Sequence, residues 1–481
     1  MRVDEVVRQP PPPPSGRGPH RYPDYSRTVG LTRDRFTGAP IVAASRRGGH
    51  IVSQHLPTAP YRGTRDFLPA EMSVRQQVFH RLFEVIERYG FVRYDGPILE
   101  AAEIYEAKSG REIADLQLYT LTDRGGRRLA LRPEMTPSVA RMIAGNANTL
   151  QFPVRWYCHV NCHRYERPQR GRVREHWQIN VDTFGSDSPS CETEIFELIH
   201  DMMAALGATR DMYIVRASDR VLLEGILTEI VGIPADRVRD VSSLIDRWEK
   251  YPREQLASDA EGLGLSAEQF GRLEDALKRG EGVLADLSDD VLERSQLAKV
   301  LAGSDRELVT FDPLIVRAFE YYTSTVFEVF DRDPANNRSL FGGGRYSELA
   351  KLFSDKSIPG IGFGMGDVTL FDFLDTHGLL PHPRPEADVV VIPIQPDLHD
   401  AARIVARRLR TAGWRTSVPL DPRKLGKEIA RADKAGARAV VIIGAEDWAA
   451  GKIVVRDLGS SEQHTIDASG VADLISTMMT S

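Results

Sequence analysis

Residues 156–182, WYCHVNCHRYERPQRGRVREHWQINVD, predict two β-strands joined by a basic loop. From Glu175 onward, apolar and polar side chains alternate, which is typical of a half-buried strand. The apolar side chains would face the core: Trp177, Ile179 and Val181. The polar side chains would share the opposite face: Gln178, Asn180 and Asp182. The alternation therefore predicts a polar floor on one side of a sheet.

The loop between these strands is rich in charged residues: Arg164, Glu166, Arg167, Arg170, Arg172 and Arg174. Pro168 and Gly171 interrupt it, which is typical of a turn. The planar guanidinium groups suit phosphate and nucleic acid. A run of charge at a hairpin tip is more often plain solvated surface. The loop alone leaves both interpretations open.

The whole chain has the composition of a globular protein with several domains. Its 481 residues exceed what one hydrophobic core usually serves, so two or three domains are expected. The apolar fraction is 42%, and no apolar run approaches the length of a membrane span. Only three cysteines are present, which argues against a disulfide framework and favours a reducing compartment. We therefore expect a cytoplasmic protein with no membrane partner.

Positive charge is local. The formal net charge is -6, yet residues 1–60 contain nine arginines and only four acidic residues. An RNA partner would therefore meet basic patches on an acidic protein.

Residues 1–57 include a run of prolines and show no sustained periodicity, so we expect disorder there. An acid-poor, arginine-containing leader could also be a targeting peptide, or the natural start could lie downstream.

Periodicity divides the rest of the chain into three parts. Residues 58–217 and 309–380 predict one α+β domain, an antiparallel sheet with helices on one side, beginning with a helix at about 70–89. Residues 218–308 have helical patterns and no candidate chemistry, which indicates a helical insertion domain. Strands and helices alternate in residues 386–481 and predict an α/β domain with a largely parallel sheet.

Two groups of residues suit a small amino-acid ligand. Glu134 and Thr136 flank Met135 at a predicted strand-to-helix junction, where Thr136 could cap the helix. A buried Glu134 would need a cationic partner, such as an α-amino group. Gln178 and Asp182 lie about 13 Å apart along their strand, enough to bracket a small ligand. A carboxylate can bind imidazole by accepting a hydrogen bond from its ring N–H.

Four other patterns are less specific. Residues 314–322, LIVRAFEYY, place Arg317 beside Tyr321 and Tyr322, although paired tyrosines are also ordinary in strands. The glycine-rich residues 360–366 do not lie in a βαβ unit, so they are weak evidence for a dinucleotide loop. On a strand, Cys158 and Cys162 would face away from His159 and His163, and we predict no metal site. The basic residues of a later helix share one face, which is usually solvated surface: Lys424, Lys427, Arg431 and Lys434.

Together these motifs resemble the histidyl-tRNA synthetases, over residues 58–478. YERPQRGR, EHWQ and FG resemble class II motif 2, and the helix at 70–89 with Pro97 resembles motif 1 at the dimer interface. Residues 314–322 resemble a histidine-specific signature, and residues 360–366 resemble motif 3. The resemblance implies a class II catalytic domain with a helical insertion, followed by an anticodon-binding domain.

The resemblance also implies a reaction and its residues. ATP and L-histidine would form histidyl-adenylate, and the histidyl group would pass to tRNA(His) on a homodimer, with Mg²⁺ screening the phosphates. Arg317 and Arg164 would be catalytic, and both would bind ATP together with Glu166. The histidine-binding residues would be Glu134, Met135, Thr136, Gln178, Asp182, Tyr321 and Tyr322. The tRNA-binding residues would be Gln169, Arg170, Lys424, Lys427 and Arg431.

The chain departs from the family pattern at several positions. Asp182, Ala318 and Glu320 stand where glutamate, glycine and aspartate are usual, and residues 367–373 lack the arginine that motif 3 normally supplies. A second hypothesis is therefore a paralogue that binds histidine or tRNA as a sensor or regulator without efficient aminoacylation. A third is an RNA-binding scaffold with no small-molecule site, which would not require the aligned Gln178 and Asp182.

Overall fold

The computed structural model describes residues 58–107, 117–303, 306–316, 321–336, 338–421 and 423–480. The elements described below all belong to one unit, Ala59–Ser481. Two expectations from the sequence lie outside the described residues: the disorder of residues 1–57 and the role of Arg317.

The described residues contain strands that are numbered here in chain order: β1 (Val92–Arg93), β2 (Leu99–Ala101), β3 (Tyr119–Thr122), β4 (Arg128–Leu131), β5 (Val154–His163), β6 (Glu175–Phe184), β7 (Tyr213–Asp219), β8 (Thr310–Phe311), β9 (Thr325–Asp331), β10 (Ser339–Tyr346), β11 (Gly360–Gly366), β12 (Val389–Pro393), β13 (Thr416–Ser417), β14 (Ala439–Ile443), β15 (Lys452–Asp457) and β16 (Gln463–Asp467).

The α-helices in the same residues are α1 (Pro69–Arg88), α2 (Glu103–Glu106), α3 (Thr136–Asn146), α4 (Ser190–Ala205), α5 (Arg220–Gly225), α6 (Val238–Ile245), α7 (Arg253–Gly262), α8 (Ala267–Arg279), α9 (Asp289–Arg294), α10 (Gln296–Ala302), α11 (Asp367–Thr376), α12 (His399–Thr411), α13 (Leu425–Lys434), α14 (Ala445–Ala449) and α15 (Val471–Thr480).

The largest sheet has eight strands in the order β1-β5-β6-β11-β10-β9-β7-β8. All neighbours are antiparallel except at the two edges, where β1 pairs with β5 and β8 pairs with β7 in parallel. A separate three-stranded sheet has the order β2-β4-β3. Helices α1 and α4 cover one face of the large sheet, and their apolar side chains share a core with β6 and β11. The predicted α+β class is confirmed.

The hairpin of β5 and β6 carries the predicted polar floor. Its register runs from Val154 opposite Phe184 to His163 opposite Glu175, without a bulge. The side chains of Ile179 and Val181 are buried in the core beneath α1 and α4. The polar residues of β6 are also buried, on the opposite face: Gln178, Asn180 and Asp182. The polar floor is therefore covered by other parts of the chain, which the alternation did not predict.

Helix α1 follows from its sequence. Proline occupies the first position, where a backbone N–H would have no partner within the helix. Apolar residues then recur every three or four positions. The helix ends before Gly90, whose φ of 80° lies in the left-handed region that favours glycine. The predicted helix at 70–89 is thus confirmed, with its boundaries shifted by one residue at each end.

The helices between β7 and β8 contribute to two apolar clusters. Leu222, Ile226 and Val291 pack into the core of the large sheet. Leu227, Leu244 and Leu273 belong to a second cluster, so the segment 220–231 contributes to both. The helical insertion therefore shares part of its core with the sheet, and its treatment as a separate domain stays an interpretation.

The C-terminal residues form a five-stranded sheet in the order β13-β12-β14-β15-β16. Strands β13, β12 and β14 are parallel, whereas β15 and β16 are antiparallel to their neighbours. The prediction of a largely parallel sheet is therefore correct for only one half. The linker before this sheet is held against α1, because Gln77 Nε2 donates to His382 O at 2.9 Å and Arg384 N donates to Ser73 Oγ at 2.8 Å.

Strand β10, SLFGGGRY, was missed by the sequence analysis because three consecutive glycines have low strand propensity. These glycines allow close approach of the neighbouring strand β11. A Cβ atom added to Gly343 would overlap Gly362 O and would lie 2.7 Å from Phe363 Cα. Glycine is required here because the two strands lie too close together for a side chain.

We expect Gly343→Ala to lower the free energy of unfolding by about 3 kcal/mol or more, because backbone atoms of β11 cannot move aside cheaply. Gly271→Ala is the control: a Cβ there meets nothing within 4 Å, and alanine is the better helix former within α8. Urea denaturation measures both variants. Equal stability of the two variants would show that the strands are not as tightly packed as described.

Candidate active site

Asp182 is the last polar residue of the floor along β6 and is 1% exposed. The hydroxyl of Tyr346 donates a hydrogen bond to Oδ1 of Asp182. Its other oxygen, Oδ2, has no hydrogen-bond partner among the described residues. Burial raises the pKa of Asp182 to about 7, and the Tyr346 hydrogen bond opposes that rise. Asp182 is thus a buried carboxyl group with one oxygen available to a ligand donor.

An aromatic wall stands beside Asp182. The ring centroids of Tyr321 and Tyr322 are 4.8 Å apart, and those of Tyr321 and Tyr346 are 6.0 Å apart. The hydroxyl of Tyr321 donates to Oε2 of Glu134 at 2.9 Å, across 187 residues of sequence. The wall therefore connects Asp182 to Glu134, two carboxyl groups that the sequence analysis assigned to one ligand. Tyr321 and Tyr322 precede β9 and are not ordinary strand residues.

The junction of β4 and α3 holds Glu134, Met135 and Thr136. Glu134 and Thr136 are buried, and Thr136 is the first helical residue. The prediction that Thr136 caps the helix is wrong, since Met135 occupies that position and makes no side-chain cap. Met135 is fully buried against Cys158 and Cys162, so its side chain packs beneath the site.

The amide of Gln178 is fixed by its neighbour, since Nε2 of Gln178 donates to Oδ1 of Asn180 at 2.7 Å. Gly364 on β11 lies directly beside this amide: a Cβ there would be 2.6 Å from Nε2. Burial, and then the positive charge of Arg164, lower the pKa of His176 to about 3. His176, two residues before Gln178 on the same face of β6, is therefore a neutral imidazole. No sequence pattern singled it out.

Arg164 follows the last residue of β5, and its Nε donates to Pro133 O at 2.9 Å. This bond ties the start of the basic loop to the junction that carries Glu134. Glu166 faces Arg172, with Oε2 3.7 Å from Nε. Arg164 and Glu134 are therefore positioned by neighbouring backbone, and a cation and an acid flank the same end of the floor. Arg317 lies outside the described residues, so its place in the site stays a prediction.

The start of α11 is occupied by structural interactions of Asp367, which is fully buried. Its carboxylate accepts from Arg65 Nη2 at 2.9 Å and lies 2.8 Å from Arg75 Nη2. It also accepts from the backbone N–H of Trp177 at 3.1 Å. Arg65 and Arg75 thus bind a carboxylate that joins β6 to α11, a role that no sequence pattern revealed.

Beyond the Gln178 end of the floor lies a cavity of about 210 Å³. It is lined mainly by polar residues of the basic loop, of the segment before β10 and of α11: Gln169, Arg170, Asn336, Arg338, Thr369 and Asp372. Gln169 and Arg170 were predicted from the sequence. Arg338 was not, because it stands outside every motif that the sequence displays.

The remaining residues predicted from the sequence are the cysteines and histidines of β5 and the basic residues of α13. On β5, Cys158 and Cys162 pack with Met135, whereas the ring of His159 is 5.0 Å from that of Trp177 on the other face, as predicted. In the C-terminal sheet domain, Lys427 and Arg431 are exposed on α13, and Lys424 precedes its first residue.

The architecture and site define a class II aminoacyl-tRNA synthetase. A family model described as histidyl-tRNA synthetase matches residues 63–368, and one described as an anticodon binding domain matches residues 388–478. A histidine–tRNA ligase of Leptospira biflexa is 37% identical over 425 residues, which is 86% of this chain and 97% of that protein. A chloroplastic/mitochondrial histidine–tRNA ligase of Arabidopsis thaliana is 35% identical over 85% of each chain. This chain belongs to the histidyl-tRNA synthetase family.

Solved structures agree with this assignment. The crystal structure of histidyl-tRNA synthetase from Nostoc sp. PCC 7120 aligns with a TM-score of 0.73 and 28% identity, covering 88% of this chain and all of that one. A Bacillus halodurans protein described as an ATP phosphoribosyltransferase regulatory subunit/histidyl-tRNA synthetase shares the fold, with a TM-score of 0.67 and 22% identity. Among the residues described by the structure, no helix is both long and apolar enough to cross a membrane.

The raised pKa of Asp182 predicts a pH dependence of stability. The folded protein keeps a proton on Asp182 between the ordinary value of 3.8 and about 7, whereas the unfolded chain loses it. The free energy of unfolding should therefore fall as pH rises through this window, and Asp182→Asn should lack that fall.

Thermal unfolding at pH 5 and pH 8 measures the effect of Asp182. The stability of Asp182→Asn relative to the parent should be higher at pH 8 than at pH 5. Tyr346→Phe removes a hydrogen bond that favours the charged carboxylate, so it should extend the fall to higher pH. If Asp182→Asn shows the same change with pH as the parent, Asp182 does not carry the proton.

Proposed function

We propose that this chain ligates L-histidine to tRNA(His) with ATP, through a histidyl-adenylate intermediate. The observation that carries the proposal is Asp182, a buried carboxyl group with one oxygen unused by the described residues and an aromatic wall beside it. Few amino-acid side chains other than imidazole present both a flat ring and a ring N–H to such a wall.

L-Histidine would lie along the floor with its ring toward Asp182. Oδ2 of Asp182 would accept the ring N–H, which fixes the tautomer and favours the charged ring. Glu134 would receive the α-amino group, with Tyr321 holding its carboxylate in place and Thr136 nearby. The Gln178 amide, fixed by Asn180, would face the middle of the ligand. This orientation directs the carboxylate of the substrate toward Arg164.

The chemical step needs positive charge where the histidine carboxylate attacks the α-phosphate. Arg164, held by the carbonyl of Pro133, would bind the α-phosphate at this point, and Glu166 would help to hold ATP. Arg317 is the second catalytic cation in this proposal. In-line attack then releases pyrophosphate and leaves histidyl-adenylate on the floor.

Mg²⁺ would enter with ATP. Among the described residues, no group of three or more His, Cys, Asp or Glu side chains could hold a metal ion by itself. Phosphate oxygens and water can provide most ligands of Mg²⁺, so such a protein cage is not needed. The ion would supply charge neutralisation on the phosphates, and the residues of this chain would position the nucleotide.

The tRNA would contact two places. Gln169 and Arg170, at the tip of the basic loop, would approach the acceptor end, and Arg170 is exposed. Lys424, Lys427 and Arg431 would position the backbone near the anticodon, whose unpaired bases carry the sequence information. We also place the protein in the cytoplasm, which suits its three buried free cysteines.

Histidine-dependent exchange of pyrophosphate into ATP tests the ligase directly. The parent protein should exchange with L-histidine and not with the other amino acids. Arg317→Ala should reduce exchange by at least about 100-fold, because it removes charge stabilisation of the transition state. The fold of that variant is checked by its thermal unfolding.

Four outcomes are informative. Full exchange by Arg317→Ala would overturn the role of Arg317. Histidine binding without exchange in the parent would favour the sensor or regulator, and loss of both would favour the RNA-binding scaffold. Robust exchange supports the ligase.

We also propose that the protein is a homodimer. Val92, Ile98 and Leu99 are exposed apolar residues on or beside β1 and β2, which are edge strands of their sheets. Exposed apolar side chains on edge strands are typical of a protein interface. This region includes Pro97, which the motif 1 resemblance places at the dimer interface.

We expect the double variant Val92→Asp with Leu99→Asp to shift the protein from dimer to monomer, because buried charge opposes association. Tyr251→Asp, an exposed substitution in the helical insertion, is the control and should remain dimeric. Sedimentation velocity distinguishes the species. A parent protein that sediments as a monomer at micromolar concentration would contradict the homodimer.

A further inference from the structure

We propose that Arg338 binds the β- and γ-phosphates of ATP and so supplies the cation that the motif 3 segment of this chain lacks. The proposal deepens the proposed function and rests on it for the identity of the nucleotide. It assigns a binding role to a residue on the segment before β10, whereas motif 3 comprises β11 and the start of α11.

The first observation is the shape of the cavity beside Arg338. Its volume of about 210 Å³ is below the 300–1,000 Å³ typical of sites for whole small ligands, so it suits one part of a larger ligand. The loop of motif 2 forms one wall, and Thr369 of α11 forms another. The cavity therefore lies between the basic loop, which holds ATP through Arg164 and Glu166 in the proposed function, and helix α11.

The second observation is the distribution of charge. Two arginines and one carboxylate line the cavity: Arg170, Arg338 and Asp372. Arg170 is already engaged, because its Nη2 donates to Asn336 Oδ1 at 3.1 Å and its Nε lies 3.6 Å from Asp372 Oδ2. By contrast, no side chain or backbone group in the described part of the chain pairs with the guanidinium of Arg338. Arg338 thus leaves the cavity with one cation available to an anion.

The third observation is how Arg338 is held. Gly171 of the basic loop has φ +76° and packs on the side chain of Arg338, so that a Cβ there would lie 3.4 Å from Cδ. The same Cβ would lie 3.8 Å from Cγ2 of Thr369. Arg338 and Thr369 therefore reach one spot from two elements. The side chain of Arg338 is exposed, and its Cδ lies beside the backbone of Gly171, so its guanidinium group is at the cavity and open to a ligand.

The position along the floor identifies the anion. Asp182 pairs with Gly362 and Gln178 pairs with Gly366, so the floor runs toward the start of α11. Arg164 stands at the same end, because His163 pairs with Glu175. From the imidazole end, Asp182 is thus followed by Gln178, and Arg164 and the cavity both lie toward the far end. A nucleotide whose α-phosphate is at Arg164 would extend its remaining phosphates into the cavity.

Direct binding of ATP to the full-length protein, measured by calorimetry, tests the proposal. Arg338→Ala should weaken ATP binding by about 10- to 100-fold, the range for one hydrogen-bonded contact with a charged group. Its affinity for AMP, which lacks the β- and γ-phosphates, should stay within about twofold of the parent. In pyrophosphate exchange, KM for ATP should rise and KM for histidine should not.

A second variant restores the charge from the other wall of the cavity. Arg338→Ala combined with Thr369→Arg should regain at least about tenfold in ATP affinity, because residue 369 faces the same spot. Arg127→Ala is the control, since Arg127 is 81% exposed on the hairpin between β3 and β4 and does not line the cavity. It should bind ATP as the parent does.

The outcomes are distinct. Unchanged ATP affinity in Arg338→Ala, or equal loss for ATP and AMP, would overturn the proposal. Weaker tRNA binding with unchanged ATP affinity would also overturn it and would assign Arg338 to the RNA backbone. If the parent binds ATP through Arg338 but shows no histidine-dependent exchange, this proposal stands and the ligase activity fails.

Discussion

The close packing of three strands, β6, β11 and β10, is the constraint on which the site depends. Glycine faces polar side chains across this packing: a Cβ on Gly362 would meet the carboxylate of Asp182, and a Cβ on Gly364 would meet the amide of Gln178. Buried polar groups need both space and partners. Glycine supplies the space, and Tyr346 and Asn180 supply the partners. The polar floor is therefore a property of three strands together.

This constraint explains what the sequence could and could not predict. The alternation along β6 identified Asp182 and Gln178 because a strand has a period of two. The same rule could not find Tyr346, since its hydrogen bond to Asp182 spans 164 residues. Glycine-rich β10 was missed for a physical reason: its residues are chosen for close approach to β11 and have low strand propensity.

Charge within the site follows a similar division. The basic loop was visible in the sequence, and the bond from Arg164 to Pro133 O shows how its first residue is positioned. Asp367, at the start of α11, forms ion pairs with Arg65 and Arg75, so it stabilises the fold. Only the three-dimensional arrangement brings Arg338 beside Gly171 and Thr369. A cation needed by a ligand can thus come from an element that no motif marks.

In the proposed function, Asp182 accepts a hydrogen bond from the imidazole ring of L-histidine. Nuclear magnetic resonance of ¹⁵N-labelled histidine bound to the full-length protein measures this directly. One ring nitrogen should show the chemical shift of a proton donor to a carboxylate, and Asp182→Asn should abolish that shift. Identical ring shifts in the parent and the variant, with histidine bound to both, would contradict the role of Asp182.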